Sequence, residues 1–322
     1  MRKINKAAVA SLLALASFAS SAFPDRPITV VVPYAPGGST DVLARVLVDV
    51  LAKDLGQPVV VENLGGAGGT IGTAKVARSN KDGYTVLLHN MAVATAPSLY
   101  SKLPYDISKD LEAVALIADV PMILVRSKRY APATLSQLVD DMKARPGAVN
   151  FAHAGVGATS HLCAILFSQA TKTASTLVPY RGTGPALTDL LAGSVDVICD
   201  QPVATGPHIQ AGGLVPYAIS GDKRLPVLPN APTFAEAGLK DFQPVVWHGM
   251  YVPKGTPAAV VTRLNKAVQT ALDRPELVKR LNELGAEVPS QDRRTTQVAQ
   301  SFTLAEVARW APILKAAGAK AD

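Results

Sequence analysis

Apolar residues in this chain fall in short, near-continuous runs at 28–32, 58–61, 84–88, 113–117, 122–125, 176–178, 195–198 and 214–219. Runs without polar alternation mark strands covered on both faces. Between them the period changes to that of helices. Val42, Leu43, Val46, Leu47, Val50 and Leu51 make a stripe after Ser39, and Gly56 ends it. Thr134 and Gln137 have capping-box spacing ahead of Leu138 and Met142, with Pro146-Gly147 as the stop. Thr256-Pro257 reads as N-cap and N1 before Val260, Leu264 and Val268. Asp273, Pro275 and Glu276 open another helix, closed by Gly285, and a last helix covers roughly 291–316. A short strand near 149–152 completes the alternation. This rhythm predicts an α/β fold of mainly parallel sheets with helices on both faces.

Two stretches break the rhythm. "LEAVALIADVPMILVRSK" (111–128) holds two apolar strands split by Asp119-Val120-Pro121, where proline cannot serve a central ladder. It reads as a crossing between lobes. The Pro-rich "DKRLPVLPNAPTF" (222–234) carries the chain back, so that the C-terminal helices pack on the first lobe. The expected division is residues 23–119 with 226–322 for lobe 1 and 120–225 for lobe 2. Two crossings imply a hinge and a cleft.

Residues 1–22 read as an export signal. Arg2, Lys3 and Lys6 precede the apolar "AAVASLLALASFA", and "SSA" supplies small residues at a cleavage site. The apolar stretch is shorter than the roughly 20 residues a membrane span needs. No cysteine near the cut supports a lipid anchor. The expected location is outside the cytoplasm, in a compartment where disulfides can form. Removing these three cations takes the formal charge from +7 to +4. The remaining Lys and Arg are scattered without basic runs, which argues against nucleic acid as a partner. Cys163 and Cys199 are the two cysteines. In an oxidising compartment a disulfide and two buried thiols are both open readings.

Four strand–turn–helix junctions are rich in glycine: "PGGST" (36–40), "ENLGGAGGTIG" (62–72), "HAGVGATSH" (153–161) and "YRGTGPA" (180–186). Such turns aim backbone N–H groups, at the positive ends of helices, past the carboxyl ends of strands, where ligands of open α/β sheets bind. Ser39, Thr40, Thr70, Thr159, Ser160 and Thr183 add hydroxyls there. Taken singly, each glycine turn is an ordinary tight turn and each hydroxyl an ordinary N-cap. Four together, two in each lobe, favour a shared anion site.

Catalytic and cofactor signatures are missing. "GAGGTIG" (66–72) has the wrong spacing for dinucleotide binding, and the next strand ends in His89-Asn90 rather than an acidic residue. There is no P-loop, no G-x-S-x-G elbow and no H-E-x-x-H pair. His89, His153, His161, His208 and His248 have no zinc spacing with the cysteines. Asp41 suits the first turn of its helix, and Asp200, at the end of "VDVICD" beside Asp196, is placed to face the cleft. No catalytic residue, metal or cofactor is expected.

With these residues in view, the sequence resembles the Bug family, the periplasmic solute receptors of tripartite tricarboxylate transporters. The resemblance runs through "FPDRPITVVVPYAPGGSTDVLAR", "VVVENLGGAGGTIGTAKVA", "DGYTVLL", "FAHAGVGATSHL", "VPYRGTGPALTDLLAGSVDV", "APTFAEAGL" and "WHGMYVPKGTP". It implies a two-lobed, Venus-flytrap binding protein of type II, holding a small carboxylated solute for membrane permease subunits. The matching first-lobe positions are Gly37, Gly38, Ser39 and Thr40, then Gly66, Ala67, Gly68 and Gly69. Those of the second lobe are Gly155, Gly157, Thr159 and Ser160, with Gly182, Thr183 and Asp200. Family members often carry Asn-Arg-Pro-Gly where this chain has Asn63-Leu64-Gly65-Gly66, so any role of that arginine is lost. For Arg181, a charge added at the mouth of the site and a solvated turn residue are both open readings. Asn90, Met91, Thr95 and Trp247 are candidates for selectivity. A monomeric receptor is the expectation; the rivals are an exported enzyme acting on a carboxylated molecule and a ligand-sensing partner of a membrane signalling protein.

Overall fold

The computed structural model describes residues 23–321; the export signal read at 1–22 lies outside the described residues. Ten strands follow one another: β1 (Ile28–Val32), β2 (Val59–Asn63), β3 (Thr85–Asn90), β4 (Leu111–Pro121), β5 (Ile123–Ser127), β6 (Asn150–His153), β7 (Thr176–Pro179), β8 (Val197–Asp200), β9 (Leu214–Ile219) and β10 (Val245–Pro253). The main helices are α1 (Ser39–Leu55), α2 (Thr70–Ala77), α3 (Ala92–Leu99), α4 (Ile107–Asp110), α5 (Leu135–Ala144), α6 (Thr159–Thr171), α7 (Thr183–Ala192), α8 (Pro202–Gln210), α9 (Ala258–Leu272), α10 (Pro275–Glu283) and α11 (Thr296–Ala316).

The strands form two five-stranded sheets, ordered β2-β1-β3-β10-β4 and β7-β6-β8-β5-β9. In the first, β1 is parallel to β2 and β3, while β10 is antiparallel to β3 and β4. In the second, β6 is parallel to β7 and β8, while β5 is antiparallel to β8 and β9. Both sheets are therefore mixed, with the fourth strand reversed. That strand is in each case the one entered after the chain changes sheet. It starts where its neighbours end, so it must run against them.

β10 escapes the reading of apolar runs because His248 and Gly249 interrupt it, although its burial is nearly continuous. Two helix starts also differ from expectation. Thr256 bonds its hydroxyl to the Pro253 carbonyl (2.8 Å), and Pro257 takes the N-cap position of α9. Asp273 closes α9 rather than opening α10, whose N-cap is Arg274. The last helix begins at Thr296, after a separate 3₁₀ turn at Gln291–Arg293.

Alternation along β1 explains the layering. Ile28, Val30 and Val32 pack with Leu43, Leu47 and Leu51 of α1 and with α9 and α10 on one face. Val31 faces the other cluster, which includes Trp310 and Leu314 of α11. Successive side chains of a strand point to opposite faces, so each face takes its own helices. Only Met122 separates β4 of the first sheet from β5 of the second. Its amide donates to Ser220 Oγ (2.8 Å), and the Ser220 amide donates to its carbonyl (2.8 Å). Outgoing and returning chains are thus strapped together. A disulfide joins Cys163 of α6 to Cys199 of β8, with Cα atoms 6.0 Å apart. It ties the helix behind one cleft loop to the strand behind another.

Candidate functional site

The glycine-rich junctions converge where the two sheets face each other. A small cavity of about 10 Å³ lies between them, bounded by Gly38, Ser39, Thr40 and Asn90 from the first-sheet side and by Thr159 and Thr183 from the second. Tyr34, Ala154, Ala158 and Gln201 also line it; sequence reasoning missed these four. The volume is on the scale of a single water, so the two sides are in close contact here.

Helix α1 begins at Gly38, α2 at Gly69, α6 at Ala158 and α7 at Gly182, and none of these N-cap residues makes a side-chain cap. The neighbouring hydroxyls, one or two residues further in, serve other partners. Ser39 Oγ donates to Asp200 Oδ1 (3.2 Å), and Thr183 Oγ1 to Asp200 Oδ2 (2.6 Å). Ser160 Oγ accepts from the Ala154 amide (2.8 Å), and Thr70 Oγ1 donates to the Ala67 carbonyl (3.0 Å). The ordinary N-cap reading of these residues is therefore wrong. Residues at N1 and N2 already have helical backbone, and their side chains cannot curl back onto the first amides.

Not every expected residue reaches the cavity. The Gly37 amide is taken by Asp41 Oδ2 (2.9 Å), and the Gly157 amide donates to His161 Nδ1 (3.2 Å). Ala67 and Gly155 line a larger adjoining cleft of about 600 Å³, together with Arg181, whose side chain is exposed. Gly66, Gly68, Gly69 and Gly182 shape the walls. Gly68 has φ +61°, and a Cβ there would collide with the Val156 carbonyl across the interface. Of the selectivity candidates, Met91 and Thr95 are buried away from the cavity, Thr95 bonding to the Ala92 carbonyl (3.3 Å). Trp247 braces α11 instead: its Nε1 donates to Glu306 Oε2 (3.0 Å).

The halves touch through polar groups. The Ala35 amide donates to the Arg181 carbonyl (3.1 Å), Tyr100 Oη to the Val156 carbonyl (2.8 Å), and Ser39 to Asp200 as above. Asp200 is fully buried. Burial pushes its carboxyl above the ordinary value, against the opposing pull of Thr183, the Gln201 amide and Ser39. A carboxyl moved toward its neutral form opposes an incoming anion less. Asp41 goes the other way: burial raises it, but Arg45, the Gly37 amide and Asn63 outweigh that and leave it lowered. It serves the loop before α1.

Four histidines back this region. His89 and His248 are pushed down to about 3 by burial, His89 also by His248. His161 falls to about 4 and His153 is lowered, again first by burial. All four are neutral at ordinary pH. Gln201 Oε1, His153 Nδ1 and His248 Nδ1 are buried without a hydrogen-bond partner. Among the described residues no group of three His, Cys, Asp or Glu side chains is placed to hold a metal, and no helix is long and apolar enough to cross a membrane. What remains is a set of helix starts, hydroxyls and amides around a closable gap, which suits binding of an anion by fixed dipoles.

Comparison with known proteins agrees with this geometry. The structure of the periplasmic binding protein BugD is 41% identical, with TM-score 0.89, over 92% of this chain and 99% of that one. MatC of Rhodopseudomonas palustris, solved with bound malate, is 40% identical with TM-score 0.87, over 91% of this chain and 100% of its own. Rpa4515 of R. palustris, solved with adipate, is 35% identical with TM-score 0.87, over 92% and 98%. Residues 43–319 match the model of the tripartite tricarboxylate transporter family receptor. The two mixed sheets, the cleft lined by helix starts and these likenesses lead to one conclusion: the chain belongs to the tripartite tricarboxylate transporter receptor family, the solute-binding Bug proteins.

Proposed function

We propose that this receptor captures a small organic acid bearing one or two carboxylates between its lobes and delivers it to the membrane permease subunits of a tripartite transporter. The observation that carries the reading is the set of helix starts without side-chain caps, those of α1, α6, α7 and α8, that meet at one polar gap. Malate in MatC and adipate in Rpa4515 are the same chemical class. In our reading the lobes are 23–119 with 226–322 and 120–225. The ligand contacts come from Gly38, Ser39, Thr40 and Asn90 on one side and Thr159, Thr183 and Asp200 on the other, with the remaining glycines shaping the loops. The protein acts as an exported, periplasmic monomer that binds without turnover. Micromolar affinity needs about 8 kcal/mol. Several hydrogen bonds to a carboxylate, each worth about 1.5–3 kcal/mol net, supply that after ordering costs. The lobes must part for entry, because a four-carbon acid is several times larger than the closed cavity.

A thermal-shift screen of dicarboxylates, tricarboxylates, acidic amino acids and aromatic acids tests this. A carboxylate that binds the folded state raises the melting temperature in proportion to ln(1 + [L]/Kd). No shift at millimolar concentration across the panel, or turnover of one of its members, would refute the reading.

A further inference from the structure

His248 was not among the residues the sequence singled out for the site, and it lies behind the cavity wall, fully buried in β10. It pairs in register with Asn90 of β3. Both residues reach the same atom, Thr40 Oγ1, at the start of α1. Asn90 Nδ2 donates to that oxygen (3.2 Å), and His248 Nε2 lies 3.3 Å from it. The amide's orientation is fixed independently, because Asn90 Oδ1 accepts from the Ala92 amide (3.0 Å).

The tautomer of His248 follows from its other nitrogen. Nδ1 is buried and has no partner. Were Nδ1 protonated, a buried N–H donor would be orphaned, which is the rarer and costlier case; an unpaired acceptor lone pair is tolerated better. The proton therefore sits on Nε2 and is donated to Thr40. The Thr40 oxygen then accepts two hydrogen bonds, from Asn90 and from His248. Its own proton is left to point elsewhere, and Thr40 lines the cavity.

We propose that His248 is a positioning residue: with Asn90 it saturates the acceptor side of Thr40 and so aims the Thr40 hydroxyl proton at the carboxylate of the bound solute. This rests on the receptor reading above. The neighbouring titratable ring on β3, His89, does not compete for Thr40; its Nδ1 accepts from the Asn90 amide (2.8 Å). The arrangement also gives a polarity to the site. The first-lobe wall offers a donor fixed in place, whereas a free serine or threonine rotor can donate or accept.

Two measurements decide it, and the first needs no solute. Nitrogen-15 NMR of histidine-labelled protein should show His248 protonated on Nε2; protonation on Nδ1 overturns the proposal. The second is a mutant cycle read by calorimetry with malate and adipate as probes. Thr40→Val and His248→Leu should each weaken binding about 10- to 100-fold, the range for one hydrogen bond to a charged group. The double variant should be no weaker than the worse single, because His248 acts through Thr40. Multiplying losses would overturn the proposal. His248→Gln, which can present an N–H at the same reach, should recover most of the affinity lost in His248→Leu. Equal loss in the two would show a packing role only. Wild-type protein that binds neither probe speaks against the receptor reading of this solute class, while the tautomer measurement still judges His248.

Discussion

The helices that open into the cleft and those on the outer surface treat the same residue types in opposite ways. On the outside, Thr134 caps α5 through a complete capping box with Gln137, Thr295 caps α11, and Asp106 caps the short helix α4. At the cleft, the N-cap places of α1, α2, α6 and α7 are held by glycine or alanine, and the serines and threonines sit just inside. A one-residue offset changes the job. At the N-cap a hydroxyl satisfies its own helix; one step later it reaches a neighbouring element or the cavity. These three outer starts are finished locally, although α9 and α10 begin at Pro257 and Arg274 without a side-chain cap. Those at the cleft are left for something else to complete.

The largest way to sharpen this contrast is pH, because the region behind the cleft holds four buried neutral histidines. Their folded pKa values lie below the ordinary value of about 6.5, so below that pH the unfolded chain binds more protons than the native one. The stability they contribute is complete above about pH 6.5 and is lost as pH falls toward the folded values. Each such group costs about 1.4 kcal/mol per pH unit in that window. The melting temperature should therefore drop steeply from about pH 7 to about pH 5. A flat profile would mean that the four rings are not buried neutral.

A middle-sized effect comes from Gly68→Ala. The left-handed backbone costs an alanine about 1 kcal/mol, and the new methyl group meets the Val156 carbonyl only when the lobes are together. Solute affinity should fall at least about tenfold, since the added strain falls mainly on the closed state. Calorimetry on the variant checks this; unchanged affinity would mean that the loops approach less closely during binding.

The smallest and most direct comparison pairs Thr134→Ala with Thr183→Val. The first should lower stability by about 1 kcal/mol, the usual worth of an N-cap, and leave affinity untouched. The second removes the hydroxyl that holds Asp200. Because Thr183 lines the cavity, binding should weaken about tenfold, or about 1.4 kcal/mol, and stability should fall as well, since the buried Asp200 loses a partner. Denaturant melts and binding isotherms on both variants separate the two roles. Equal behaviour would erase the distinction between cleft and exterior.

Much of the architecture was legible because it rests on local rules. Near-continuous apolar runs marked most strands, and the Thr134–Gln137 box was read from spacing alone. β10 was missed because His248 and Gly249 break its apolar run while tertiary packing keeps it buried. In the site, the glycine turns were readable as a class, but their assignments were not. Whether an amide faces the solute or its own loop depends on long-range partners, as Gly37 and Asp41 demonstrate. Tyr34 and Gln201 carry no pattern of their own; each is a single residue in a turn, brought to the cavity by the sheet topology. The cysteine pair stayed open for the same reason, since sequence separation says nothing about the approach of α6 to β8.

The single-residue passage at Met122, strapped to Ser220, leaves the molecule almost no slack. Its halves cannot drift apart like beads on a tether; they can only swing about a line near that strap. If a solute draws the halves together as we propose, its occupancy is converted into an angle. A membrane partner that rests on both halves could then distinguish loaded from unloaded protein by their relative tilt, without ever touching the cargo.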